Sequence, residues 1–97
     1  MAIQFIPRHH TFNEPATQSS GYDFLNKVRA AGGSVQAFAV GWDDTDHHVK
    51  DIQVSVRNVS FSGSRVSYDL TFNLVDNGNR KGRAEIDVLI MADVESV

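Results

Sequence analysis

The chain has 97 residues, 41% of them hydrophobic, with a formal charge of −3 and no cysteine. A domain of this size buries about 60–65% of the surface its unfolded chain exposes, so it folds without staples by a modest margin, and oligomerisation helps. Missing thiols exclude disulfides and thiolate zinc sites, interspersed charges argue against nucleic acid, and the lack of a roughly 18-residue apolar run or signal-peptide pattern predicts a soluble chain with no membrane partner.

Residues 1–6 alternate, with Ile3 and Phe5 on one side and Gln4 between them, as a short strand. Pro7, which has no N–H, is expected to end it and to keep it at a sheet edge. His9 and His10 point to opposite faces of an extended chain, so a shared metal is not expected. His9-His10 and the following residues 11–20, with Pro15 and many small polar side chains, predict a surface loop. In 21–33, Phe24, Leu25, Val28 and Ala31 have the spacing of a short amphipathic helix stopped by Gly32-Gly33, while an extended conformation of 25–30 fits as well. The first 33 residues thus read as a less regular segment ahead of a sandwich core at 34–94.

Residues 34–42, containing Val35, Phe38, Val40 and Trp42, predict a strand buried on both faces, central in its sheet or at a subunit contact. A loop is expected at 43–50. The strand at 51–58 alternates Ile52, Val54 and Val56 with Gln53, Ser55 and Arg57, and the chain runs on through Val59 and Phe61 to Ser62-Gly63-Ser64, a hairpin turn. In 65–75 the apolar set is Val66, Tyr68, Leu70, Phe72 and Leu74, a strict period of two. In 83–94 the same rule selects Ala84, Ile86, Val88, Ile90 and Ala92. The opposite wall of that run begins with Glu85 and Asp87 and then turns apolar at Leu89 and Met91, which a purely solvated face does not explain and which something should cover. Residues 76–82, with Asn77-Gly78, predict the reversal joining the two runs as one long hairpin. The expectation is one domain over 1–97, an all-β antiparallel β-sandwich of about six strands, with a short N-terminal helix as an open variant.

Ionisable clusters give little chemistry. Asp43, Asp44, Asp46, His47 and His48 lack calcium-loop spacing; a zinc site from Asp46, His47 and His48 is sterically conceivable, but a solvated Asx-rich turn is the simpler expectation. Arg80-Lys81 with Arg83 reads as a solvated loop tip. Asp69, Glu85 and Asp87 would face one another across the long hairpin like an acid/base pair, yet Arg57, Arg65 and Arg83 on the same face make cross-strand ion pairs the simpler account. There is no nucleophile elbow, phosphate-cradling loop or dinucleotide fingerprint. The sequence therefore predicts a non-enzyme without cofactor, acting in binding or assembly.

The segment 35–92 resembles the H-type lectins, the snail-agglutinin family. The likeness rests on the strand at 35–42 leading to Trp42-Asp43-Asp44, the strand Asp51-Ile52-Gln53-Val54, the turn Val59-Ser60-Phe61-Ser62-Gly63, the strand end Leu70-Thr71-Phe72-Asn73 and the apolar strand 86–92. The resemblance implies a six-stranded antiparallel sandwich, usually trimeric, that binds galactose or N-acetylgalactosamine-type glycans between protomers without metal or catalysis. The family's arginine falls at Gln53 and its Trp-His pair at Phe72-Asn73, while Asp23, in Gly21-Tyr22-Asp23, stands for the neighbouring protomer's contact. Gln53 and Asn73 still offer hydrogen bonds to sugar hydroxyls, and Phe72 offers a stacking face unless alternation places it in the core. The oligomer contact would involve Leu89, Met91 and Trp42. The same departures from the family pattern suit an alternative role, a structural or assembly subunit that kept the sandwich and lost sugar binding.

Overall fold

The computed structural model describes residues 2–42 and 47–95. Six strands run in chain order: β1 (Ala2–Phe12), β2 (Ala16–Asp23), β3 (Val28–Gly41), β4 (Val49–Ser62), β5 (Arg65–Asp76) and β6 (Arg83–Val94). They form two three-stranded antiparallel sheets, β1-β6-β3 and β2-β5-β4, called here the first and second sheets. No helix long and apolar enough to cross a membrane occurs among the described residues.

The two strands with the cleanest alternation are the two central strands. Each is hydrogen-bonded on both sides, so one wall of each must face the other sheet, and every residue of the two expected apolar walls is buried at 3% exposure or less. Phe12, Phe24, Val28 and Val94 complete this core, with the Phe12 and Phe72 rings 5.4 Å apart across the sheets. A polar strut also spans the sandwich. Gln18 Nε2 donates to the Thr11 carbonyl, so its Oε1 accepts from His10 Nδ1 (3.3 Å), leaving His10 Nε2 to accept the Tyr68 hydroxyl (2.6 Å).

Several expectations are corrected. The long hairpin does not form: β5 and β6 lie in different sheets, and among the described strands only β4 and β5 are consecutive within one sheet, turning at Gly63 (φ 58°). Asp69 therefore lies on the opposite side of the sandwich from Glu85 and Asp87. Pro7 does not end β1, because an edge strand needs the N–H groups of only one side, and Pro7 sits opposite Leu89 within the ladder. The expected loop at 9–20 is mostly strand: β1 carries His9 and His10 and reaches Phe12, and β2 hides among small polar residues whose hydroxyls pair across strands, as Thr17 does with Thr71 at 3.0 Å. Neither the less regular segment nor the helix at 21–33 forms. Phe24 is buried but its neighbour Leu25 is fully exposed, and Gly32-Gly33 lie inside β3 opposite Met91 and Ile90. β3 is an edge strand, not a central one, and Phe38 is 53% exposed. β4 begins at Val49 rather than Asp51.

The molecule is long and thin, 55 × 17 × 15 Å, with a radius of gyration of 15.9 Å. A compact chain of this length would have about 12–13 Å. The length comes from strands of up to 14 residues in sheets only three strands wide.

Two tests follow from this packing. A Cβ on Gly21 would overlap the Val66 carbonyl oxygen, so β2 cannot accept a side chain there without moving away from β5. Gly21→Ala is expected to cost roughly 1–3 kcal/mol in urea unfolding, as overpacking does; an unchanged midpoint would contradict the β2–β5 register. The adjacent histidines should oppose each other in pH. Burial holds His10 below its usual range, so the unfolded state takes up a proton that native His10 resists, and stability is lost as pH falls below the unfolded value. The bond to Asp87 raises His9, so its contribution is complete at low pH and lost as pH rises through its folded value. Unfolding midpoints between about pH 8 and 5 should fall less steeply on acidification in His10→Asn than in the wild type, and more steeply in His9→Ala.

Candidate functional site

Alternation that buries one wall of β5 turns Ser67, Asp69, Thr71 and Asn73 outward, all half-buried between the flanking strands. Their register partners are also polar. β2 places Thr17 and Ser19 beside Thr71 and Asp69, while β4 places Gln53, Ser55 and Arg57 beside Asn73, Thr71 and Asp69. The outer wall of the second sheet is thus a field of hydroxyls and amides, with carboxylates and cations among them.

Gln53 and Asn73 are brought together as direct cross-strand partners. Asn73 Nδ2 donates to Asp51 Oδ2, and Gln53 Nε2 reaches Ser55 Oγ at 3.4 Å. This leaves amide oxygens and a carboxylate facing solvent, a set that suits sugar hydroxyls. Phe72 does not join them. It is 1% exposed and packs on Phe12, since the period of two sends it inward between outward Thr71 and Asn73, so it offers no stacking face. Asp23 is also elsewhere in this chain. It pairs with Arg65 (2.9 Å), eight residues along β5 from Asn73 or about 27 Å at strand rise.

A depression of about 410 Å³ opens on the same wall nearer that end, lined by Ser19, Asn58, Ser60, Arg65, Ser67 and Asp69 among others. Asp69 is its floor: Oδ1 accepts Ser19 Oγ (2.7 Å) and Oδ2 accepts Asn58 Nδ2 (2.9 Å). The Asn58 bond, then the Ser19 bond, hold Asp69 below the usual carboxylate range. Asn58 was not singled out from sequence. Its signal is a phase change: the inward set Val54 and Val56 continues at Val59, one residue late, where the ladder shifts register and Asn58 takes φ 56°.

At one end of the sandwich, Trp42 stacks on His47 with ring centroids 4.5 Å apart and planes 6° from parallel, and its N–H reaches the Arg80 carbonyl. His47 Nδ1 donates to Asp76 Oδ2 (2.6 Å), with side chains 4% and 8% exposed. Asp76 Oδ1 accepts the backbone N–H groups of Gly78 and Arg80, and the His47 bond foremost keeps its carboxyl below the usual range. Burial leaves His47 almost no surface for a substrate, so the pair braces the β5–β6 crossover. A cleft beside it, lined by Asn13, Trp42, Lys81 and Arg83, measures about 240 Å³. Arg80 and Arg83 are not spare cations, because both make further interactions. Of the weak metal set, His48 is exposed and Asp46, with Asp43 and Asp44, lies outside the described residues; no metal-ligand group of three occurs among those described.

Leu89 and Met91 are half-buried on the outer wall of the first sheet, beside Pro7 and Phe5 of β1 and Ser34 and Gly32 of β3. Ile3 (61% exposed) and Phe5 (57%) extend this stripe. Trp42, one residue beyond the Gly41–Arg83 pairing, lies about 30 Å from Met91 at strand rise and is not part of it.

Removing the Asp76 carboxylate strands the donors of Gly78, Arg80 and His47 together. Asp76→Ala should therefore lower the melting temperature more than Asp69→Ala, whose donors face water. The wild-type bond is present above the unfolded carboxylate range and is lost as pH falls through Asp76's depressed value. Equal melting temperatures for the two variants would contradict the bracing role. Comparison with family models, with curated proteins and with solved structures gives no match for this chain.

Proposed function

We propose that the chain is a non-catalytic carbohydrate-binding protein that works as a homo-oligomer, probing glycans of galactose or N-acetylgalactosamine type with the outer wall of its second sheet. The observation that carries this reading is the pairing of Gln53 with Asn73 beside Asp51 on a wall that turns amides, hydroxyls and a carboxylate to solvent. The six-stranded sandwich supports it too, being the architecture that the resemblance to H-type lectins implies. Without an arginine at Gln53 or an outward aromatic at Phe72, each site holds a sugar by neutral and single-carboxylate hydrogen bonds and is weak. Several copies on one particle restore useful avidity. The stripe of Ile3, Phe5, Leu89 and Met91 is the surface suited to bring copies together, and a trimer is the expected assembly.

A second reading, a structural subunit of a larger assembly without sugar binding, is favoured by the same stripe and by the 55 Å length of the molecule. A glycan array probed with the intact chain separates the two. The first reading expects binding to terminal galactose or N-acetylgalactosamine that weakens by roughly tenfold in Gln53→Ala or Asn73→Ala, the loss of about one good hydrogen bond. A clean array with an oligomeric mass in light scattering favours the structural subunit; a stable monomer in dilute solution contradicts both.

A further inference from the structure

The outer wall of the second sheet carries a second polar centre, about 13 Å along β5 from Asn73 at strand rise. It is built by a distortion of the ladder. Between Arg57 and Ser60 the β4–β5 register shifts, Val59 turns inward to within 3.5 Å of a Cβ placed on Gly33, and Asn58 is thrown outward in the left-handed region. Asparagine tolerates that conformation better than most residues. Its amide then reaches across to Asp69, which Ser19 holds from the other edge strand.

From this geometry we infer that the depression around Asp69 and Asn58 is a saccharide-binding site in its own right, taking a neutral pyranose through adjacent hydroxyls. The inference rests on the carbohydrate-binding reading and adds a site to it. Each Asp69 oxygen has one donor in place and lone-pair capacity left for a sugar hydroxyl. Asn58, Ser60 and Ser67 line the same depression and add an amide and hydroxyls able to donate and accept. Arg65 lines the rim and is held there by its ion pair with Asp23. The carboxylate floor disfavours anions, and a lone carboxylate already bonded to two donors is a poor cation cage. An open depression of about 410 Å³ accommodates one ring lying flat on the sheet.

The test is a titration of the isotope-labelled intact chain with the methyl glycosides of galactose, N-acetylgalactosamine, glucose and mannose, followed by backbone amide shifts. At least one should move the amides of Asn58, Ser67 and Asp69. Those shifts should need roughly tenfold more sugar in Asp69→Asn, and likewise in Asn58→Gly, where glycine keeps the backbone conformation and only the amide is lost. If Asp69→Asn fails to fold, Asn58→Gly decides. Shifts confined to Gln53 and Asn73 overturn this site and leave the carbohydrate-binding reading standing. Shifts at Asp69 unaffected by either substitution overturn the assignment of the binding groups. No shift with any sugar overturns both.

Discussion

Between the sheets, Val66, Tyr68, Leu70, Phe72 and Leu74 of β5 meet Ala84, Ile86, Val88, Ile90 and Ala92 of β6, and neither strand can turn without exposing its whole set. Each strand is pinned by a hydrogen-bonded neighbour on both sides. Because they centre different sheets, their outer walls face opposite directions and carry different chemistry. The β5 wall is hydroxyl and amide; the β6 wall ends in an aliphatic stripe that β1 widens with Ile3 and Phe5.

Alternation made the central strands legible, since a strand with neighbours on both sides has one wet and one dry wall. The edge strands were only partly legible, for the same reason. β1 runs through Pro7 because only one of its sides donates to a ladder, β2 is written in serine and threonine, and β3 accommodates Gly32-Gly33 where Val56 and Val59 approach Gly33. An Asn-Gly pair also suggested a hairpin at 76–82. Instead the Asp76 side chain gathers the turn's N–H groups and His47, Asn79 takes the positive φ (60°), and the chain crosses to the other sheet. Nothing local in the sequence distinguishes a turn that closes a hairpin from one that bridges two layers.

The candidate site was half visible. Gln53 and Asn73 came from the resemblance, and strand register puts them side by side. Phe72 was decided by the period of two, which overrides a motif whenever the residue lies on the dry wall. The Asp69 centre went unseen because it depends on Asn58, an extra residue in the ladder whose effect is spatial: it brings β4 and β2 donors onto one carboxylate of β5.

The proposed division of labour, a polar wall for a ligand and an aliphatic wall for a sister copy, requires that β5 and β6 belong to separate sheets. Cross-strand Hα–Hα contacts in a nuclear Overhauser spectrum of the labelled chain test it most directly. The account predicts contacts from β5 to β2 and β4, and from β6 to β1 and β3. Hα–Hα contacts between β5 and β6, as in a hairpin folded at 76–82, would contradict it.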